Sequence, residues 1–471
     1  AMIHASEFYS HLSEGETFGI AVKDVSLDMV KLQAWKDGVV KKLTGGVAQL
    51  LKAHKVEVIK GEARFKNKRE LSVKTTAGEE IVSFDTAVIA TGSSSVVLPG
   101  FNDSCINKLT PSPFPRNSAT GAPCAVNSAN GLPRGERVVS DSKFVGTSTE
   151  GLSFAAVPEN LCVIGGGYIG LEIGSFYAAL GAKVTVVEAT ASLLPGMEQD
   201  LVQVVARELK RRKVDVHLNT KAISWKEVDG KAEVALDSAN SASLLRGPAK
   251  PDLDSEKGNE KQKILVNKIL VAVGRTPNTK NLGLENVDIQ IDPKGFIKVN
   301  DKLQTNIDGI YAIGDCAGQP MLAHKASKEG LVAAGVIAGK KEIYDVRAMP
   351  AVIFTTPEIA TVGYDEAGAQ KAGFQIKIGK FPFAASGKAL AANETDGFVK
   401  IIADAKTDRV LGVAIVGHDA SSLIGEACLA IEMGATAEDL ARTVHPHPTL
   451  TEALMEGAEA VHGAAIHIFQ R

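Results

Sequence analysis

Apolar and polar positions alternate in blocks along the chain, and the spacing within each block separates helices from strands. The first block reads as helix through about Ser13, and Ser26 stands as an N-cap for a long amphipathic helix over Leu27–His54, softened at Gly45-Gly46. Val56–Ile59, Glu62–Phe65, Leu71–Lys74 and Ile81–Ser83 predict short strands; Thr86–Ala90 predicts another, closed by Thr91-Gly92-Ser93. In mid-chain the apolar run Leu161–Ile164 feeds Gly165-Gly166-Gly167-Tyr168-Ile169-Gly170, then a small-residue helix, then a second run, Val184–Val187, ending in Glu188. A strand begins near Val214, Thr305–Asp315 reads as a buried strand ending in Gly-Asp, and a helix runs from near Leu322 to about Ala338. From Pro350 a new unit shows strands at Val352–Thr355, Lys377–Phe381, Phe398–Ala403 and Val410–Ile415. Helices follow over Ser421–Met433, Glu438–Arg442 and from about Leu450. Two stretches, Asn102–Arg137 and Ser238–Lys263, are polar and aperiodic and read as looped or disordered insertions.

Composition narrows the classes. A length of 471 residues suits two to four domains. The net charge of −3 and the lack of a basic stripe exclude nucleic acid as the expected partner. No apolar run approaches the ~20 residues of a membrane span, so no membrane partner is expected either. The first residues, AMIHASEFYSHLSEGE, lack the basic leader and long apolar core of a signal peptide. Cysteines 105, 124, 162, 316 and 428 are odd in number and widely spaced, which points to a reducing compartment and to neither a disulfide scaffold nor a zinc cluster.

The chemistry starts from the mid-chain turn. Gly165 permits the tight turn, Gly167 lets backbone approach a pyrophosphate, and Gly170 lets the helix pack close on the strand. The phosphates would sit at the helix N-terminus. Glu188 is placed to accept from a ribose 2′-OH, which fits NAD, and no Arg or Lys follows it until Arg207. Asp315, at a strand end, is either a helix-capping residue or an acceptor for polyol hydroxyls such as a flavin ribitol. Thr91-Gly92-Ser93 is a turn or a close approach to a cofactor. Gly274 could admit a nicotinamide ribose, while Arg275 reads equally as anchor or ligand contact. In VHPHPTLTE, Glu452 lies about one turn beyond His447, as in a carboxylate-held general acid/base. Surface histidines at a helix start, or a metal pair, are the alternatives there.

TAVIATGS, VIGGGYIGLEIGS, VAVGRTPNT, TNIDGIYAIGDC, MLAHKASKEG, FTTPEIATVG and HPHPTLTEA, in this order, resemble the flavin-dependent pyridine nucleotide–disulfide oxidoreductases, and among them the dihydrolipoamide dehydrogenases. The resemblance implies an α/β protein: two Rossmann-like nucleotide-binding domains, the first incomplete, and a C-terminal α+β dimerisation domain. Its parts would be 1–157 (FAD-binding), 158–278 (NAD-binding), 279–349 (the rest of the FAD-binding and central region) and 350–471 (interface). It implies FAD contacts at Thr91–Ser93, Asp315, Met321, Leu322, Ala323 and His324. NAD contacts fall on Gly165–Gly170 and Glu188, with Ala222 near the adenine. His447 and Glu452 become the acid/base pair of a homodimer, with His447–Pro448 a candidate cis bond. The partners implied are lipoyl-bearing proteins of 2-oxo acid dehydrogenase or glycine-cleavage complexes, in the mitochondrial matrix of a eukaryote or otherwise in the cytoplasm.

The departures matter as well. Ala1–Ser6 resembles the helix that follows the redox cysteines in the family, so the FAD fingerprint, the cysteine pair and the Lys partner of Glu172 are expected to be missing from an incomplete sequence. The alternatives are an inactive NAD-binding, dimerising fragment or another disulfide reductase. Glu188 disfavours NADP-dependent glutathione reductase, and the C-terminus IHIFQR disfavours mercuric reductase.

Overall fold

In this computed structural model, residues 1–13, 15–101, 142–238 and 262–469 are described. The predicted insertions, with Cys105 and Cys124, lie largely or wholly outside them. Two compact units share the chain: residues 1–36, 147–274 and 345–471 form one, and residues 37–146 and 275–344 the other.

The chain opens with α1 (Met2–Ser13) and α2 (Met29–Ala53). Helix α2 starts later than the sequence reading, because the cap is Asp28 rather than Ser26: the Asp28 carboxylate accepts from Lys31 N at 3.0 Å. It passes through Gly45-Gly46 without a break. The predicted strand Val56–Ile59 is irregular and exposed, with no ladder partner among the described residues. The antiparallel meander β1 (Gly61–Asn67), β2 (Glu70–Thr75) and β3 (Gly78–Ser83) follows. Next come β4 (Ala87–Ile89), β5 (Ser93–Ser95), β6 (Val145–Gly146) and the single turn α3 (Ser148–Gly151).

The mid-chain pattern then folds as a parallel α/β sheet. Strand β7 (Asn160–Ile164), helix α4 (Tyr168–Ala179), β8 (Lys183–Val187), α5 (Gln199–Arg211) and β9 (Asp215–His217) alternate. After the antiparallel strands β10 (Thr220–Val228), β11 (Lys231–Ser238) and β12 (Gln262–Val266), the chain returns as β13 (Lys268–Val271) beside β7. The parallel order is β13-β7-β8-β9. Leu161, Val163 and Leu270 are fully buried here, which accounts for apolar runs rather than alternation. Helix α5 and the β10–β12 sheet are additions to the sequence reading.

In the second unit, β14 (Arg275–Pro277) pairs antiparallel with β5, and β15 (Ile310–Ala312) parallel with β4. Strand β15 is far shorter than the predicted Thr305–Asp315. Gly309 turns the backbone at φ +75, and Thr305 Oγ1 donates to Ile310 O (2.8 Å), so the preceding residues close a loop instead of extending the strand. Helix α6 (Ala323–Ile337) completes this unit.

The C-terminal segment is a five-stranded antiparallel sheet ordered β16-β17-β20-β19-β18, from β16 (Ala351–Ile353), β17 (Glu358–Gly363), β18 (Ile376–Pro382), β19 (Phe398–Asp404) and β20 (Val410–Gly417). Strand β17 was not anticipated. Short helices α7 (Glu366–Lys371) and α8 (Gly387–Ala392) join strands, and α9 (Ala420–Met433), α10 (Ala437–Arg442) and α11 (Glu452–Val461) follow. Strand β19 is buried along its whole length, including Lys400. That ammonium is matched by Glu198 (2.9 Å), Asp200 (3.1 Å) and Glu366 (2.8 Å), the pairing a buried charge requires.

Candidate functional site

Three clusters carry chemistry. The first is the glycine turn between β7 and α4. Gly165 has φ +107, and a Cβ there would lie 2.5 Å from Ala272 O. A Cβ on Gly170 would lie 2.1 Å from Gly165 O, so the helix touches the turn only because Gly170 has none. Gly167 opens α4 with no side-chain cap, and nothing lies within 4 Å of the place its Cβ would take. An open, uncapped helix start of this form has the free N–H groups and the room that a phosphate group requires. Tyr168 is 41 % exposed beside it, and Ile169 packs against the core.

Glu188 directly follows β8 and is buried, with its carboxylate turned to the same loop. Gly166 N donates to Oε2 and Thr190 N to Oε1, each at 2.7 Å. The carboxylate is thus fixed in place by two backbone N–H groups directly behind the glycine turn. Ala222 sits on β10 opposite Leu236, where the ladder slips before Ser224. Gly274, at φ +130, follows β13. On α4 itself, Glu172 accepts from Phe354 N at 2.9 Å, and burial pushes its carboxyl above the ordinary range.

The second cluster lies in the other unit. Ser93 Oγ donates to Asp315 Oδ2 at 2.5 Å and accepts from Arg275 Nε at 2.8 Å, while Arg275 Nη2 donates to Ser93 O at 2.6 Å. Arg275 is therefore engaged as an anchor between β14 and β5. Thr91 and Asn278 close the same seam: Thr91 Oγ1 donates to Asn278 O (2.6 Å) and Asn278 Nδ2 to Thr91 O (3.0 Å). Asp315 remains half-buried in the turn after β15. Met321 and Leu322 are half-buried ahead of α6, with Leu322 as its N-cap, and Ala323 and His324 form its exposed first residues.

Two charged residues in this cluster had no role in the sequence reading. Lys325 and Glu329 are 5 % and 4 % exposed and pair at 2.7 Å. Their i,i+4 spacing of opposite charges is a legible signal, but it normally marks a solvated helix face, so burial could not be read from it.

The third cluster is His447 and Glu452. His447 Nδ1 lies 2.9 Å from Glu452 Oε1, and Glu452 Oε2 accepts from Thr449 N at 2.8 Å. Burial works upward on the Glu452 carboxyl, but the Thr449 N–H and His447 outweigh it and hold the group below the ordinary carboxylate range. The His447 side chain is 74 % exposed, and Nε2 has no partner among the described residues. The His447–Pro448 bond is cis. His445, two residues earlier, is the opposite case. Its side chain is 6 % exposed, with Nε2 2.9 Å from Glu426 and Nδ1 2.8 Å from Thr443 O. Of the two histidines flanking Pro446, only His447 offers a ring nitrogen to a reactant.

Residues 1–115 and 118–330 match the pyridine nucleotide-disulphide oxidoreductase family, and residues 349–458 match that family's dimerisation domain. The chain is similar to dihydrolipoyl dehydrogenase of Thermus scotoductus, 43 % identical over 471 residues, covering 100 % of this chain and 89 % of the relative. The dihydrolipoyl dehydrogenases of Haloferax volcanii and Bacillus subtilis are each 40 % identical, covering 100 % and 99 % of this chain and 88 % of each relative. Among solved structures, LpdA from Mycobacterium tuberculosis shares the fold at a TM-score of 0.78 and 24 % identity, over 97 % of this chain and 88 % of that one. The HOCl-induced flavoprotein disulfide reductase RclA of Escherichia coli, as a Cu(II) complex, is similar at 0.75 and 25 %, over 97 % and 87 %.

Proposed function

The chain belongs to the pyridine nucleotide–disulphide oxidoreductases, within them to the dihydrolipoyl dehydrogenases, and on that premise we propose that it serves NAD+-linked oxidation of protein-bound dihydrolipoyl groups as a homodimer. The observation that carries the reading is the His447–Glu452 pair with its outward Nε2. In the overall reaction a dithiol loses two electrons and two protons, giving a disulfide, while NAD+ becomes NADH and one proton is released. His447 Nε2 accepts a thiol proton; Glu452 orients the ring through Nδ1 and stabilises the imidazolium that results.

NAD fits the open start of α4 at Gly167, with Glu188 behind the turn. The ribitol end of FAD fits the half-buried Asp315 carboxylate. The bound flavin would supply two-electron transfer between thiols and nicotinamide. Thr91–Ser93 and Met321–His324 would border it, Ala222 would lie near the NAD adenine, and Gly274 would leave room for the nicotinamide ribose.

The cysteines limit what these 471 residues do alone. No two of the five have the family's close spacing. Burial holds the Cys162 thiol up at about 12, far from a reactive thiolate. The one GxGxxG turn in these 471 residues is Gly165–Gly170, so they are expected to bind NADH and to hold FAD weakly, and without a close cysteine pair to make no NADH from dihydrolipoamide. Joined to an N-terminal segment bearing a flavin fingerprint and a cysteine pair, it should turn over, and His447→Ala should then lower kcat by about 10²–10⁴-fold. Lipoamide turnover by the 471 residues alone overturns the need for an added cysteine pair, and full turnover by the His447→Ala form rules out the acid/base reading that carries the proposal.

A further inference from the structure

Beneath the Asp315 turn lies a buried ion pair that the proposed chemistry does not use. Glu329 Oε2 accepts from Gly314 N at 2.6 Å, and Glu329 Oε1 lies 2.7 Å from Lys325 Nζ. Lys325 Nζ in turn donates to Gly318 O at 3.2 Å and to Gly314 O at 3.4 Å. Two side chains of α6 therefore grip both ends of the five-residue segment that carries Asp315. Gly314 has φ +73 and Gly318 φ +153, so the segment leaves and rejoins regular backbone through glycine conformations that do not hold themselves. The segment is also tied by Ala317 N to Gly314 O (3.0 Å), Ile297 N to Cys316 O (2.9 Å), Cys316 Sγ to Ile313 O (3.2 Å) and Ile89 O (3.5 Å), and Ser93 at the Asp315 carboxylate.

We propose that Lys325 and Glu329 are positioning residues. They fix the Gly314–Gly318 turn against the first turn of α6, and so set the Asp315 carboxylate in register with Met321–His324. An apolar pair would fill the same space and could match or exceed the stability of the ion pair, but it could not make these directional ties. The functional meaning rests on reading Asp315 as a flavin contact; the positioning itself does not.

The test uses the full chain and the double variant Lys325→Met with Glu329→Gln. This neutral pair keeps the volume and an acceptor for Gly314 N, so the melting temperature should stay close to that of the unaltered protein. Hydrogen exchange of a peptide covering residues 313–319 should nevertheless rise about tenfold, while the Leu284–Ile289 core segment stays unchanged. Equal exchange at 313–319 in the folded double variant overturns the proposal. If the double variant does not fold, exchange in the unaltered protein decides. Gly314 should open together with the amides of Ala326–Gly330; opening with β15 alone refutes the proposal. Titration with excess FAD separates the two readings. Exchange that rises while weak FAD binding is unaffected by Asp315→Ala leaves the positioning role standing and removes the flavin reading of the turn.

Discussion

The glycine turn of the first unit and the Asp315 turn of the second are both proposed as dinucleotide contacts, but they are built differently. The glycine turn lies within one stretch, Leu161–Glu188, on a strand flanked by parallel neighbours and fully buried at Leu161, Cys162 and Val163. The Asp315 turn follows a three-residue strand in a two-stranded sheet whose Val88 is 43 % exposed. Its contacts span the chain: Ser93 and Asp315 are 222 residues apart. A local site gets its shape from missing side chains, because glycines let backbone close on backbone. A dispersed site gets its shape from added ones, through hydrogen bonds and a buried ion pair that tie distant segments together.

This contrast yields opposite sensitivities. The largest effect should come from Gly165→Val, which combines positive-φ strain with overpacking against Ala272 O, about 2–5 kcal/mol together. Denaturant unfolding and NADH titration should show a destabilised chain with no measurable NADH binding; parental affinity would break the comparison. Glu188→Ala comes next. It strands the N–H groups of Gly166 and Thr190, a loss of about 1.5–3 kcal/mol, so NADH binding should weaken at least tenfold. In the second unit, Ser93→Ala releases the Asp315 carboxylate and removes one of the two bonds that hold Arg275, the one to the backbone oxygen remaining. Residual FAD affinity should fall several-fold with NADH affinity unchanged, and a fall in both would show that the two sites are not separable.

The smallest effect is a pH response outside both turns. His467 pairs with the buried Glu456, and that hydrogen bond, with the attraction of its charge, raises the imidazole above its ordinary value of 6.5. A raised folded value means the contact stabilises fully below the ordinary value and is lost as pH rises through the raised one. Glu452, held low, behaves the other way: its contribution is present above the ordinary carboxylate range and lost only as pH falls through the lowered value. Histidine NMR should show His467 releasing its proton late while NADH affinity holds steady. An unshifted His467 titration contradicts the pairing.

How far the sequence could be read follows from the same contrast. The strand–glycine–helix–strand order and the His447–Glu452 spacing are local patterns, and the structure brings each set of residues together. Strand β17 and helix α5 escaped notice although both are regular. The error at Ser26 arose because Asp28, two residues further on, is also a capping residue type and is the one that reaches Lys31 N. Lys325 and Glu329 were legible only as a surface pair, and Arg275 could not be assigned as anchor or ligand until Ser93 stood beside it.

By itself the sequence determined the features whose cause lies within a few residues: the glycine turn between strand and helix, the acid that follows β8, the pairing of His447 with Glu452 and the alternation of α/β units. Periodicity, glycine and proline act at that range. Only the tertiary structure decided which charges are buried, what Arg275 and Ser93 hold, that His445 is enclosed while His447 is open, and that Lys400 sits among three carboxylates. Burial and partner choice depend on segments hundreds of residues apart meeting in space, and no short-range pattern encodes that meeting.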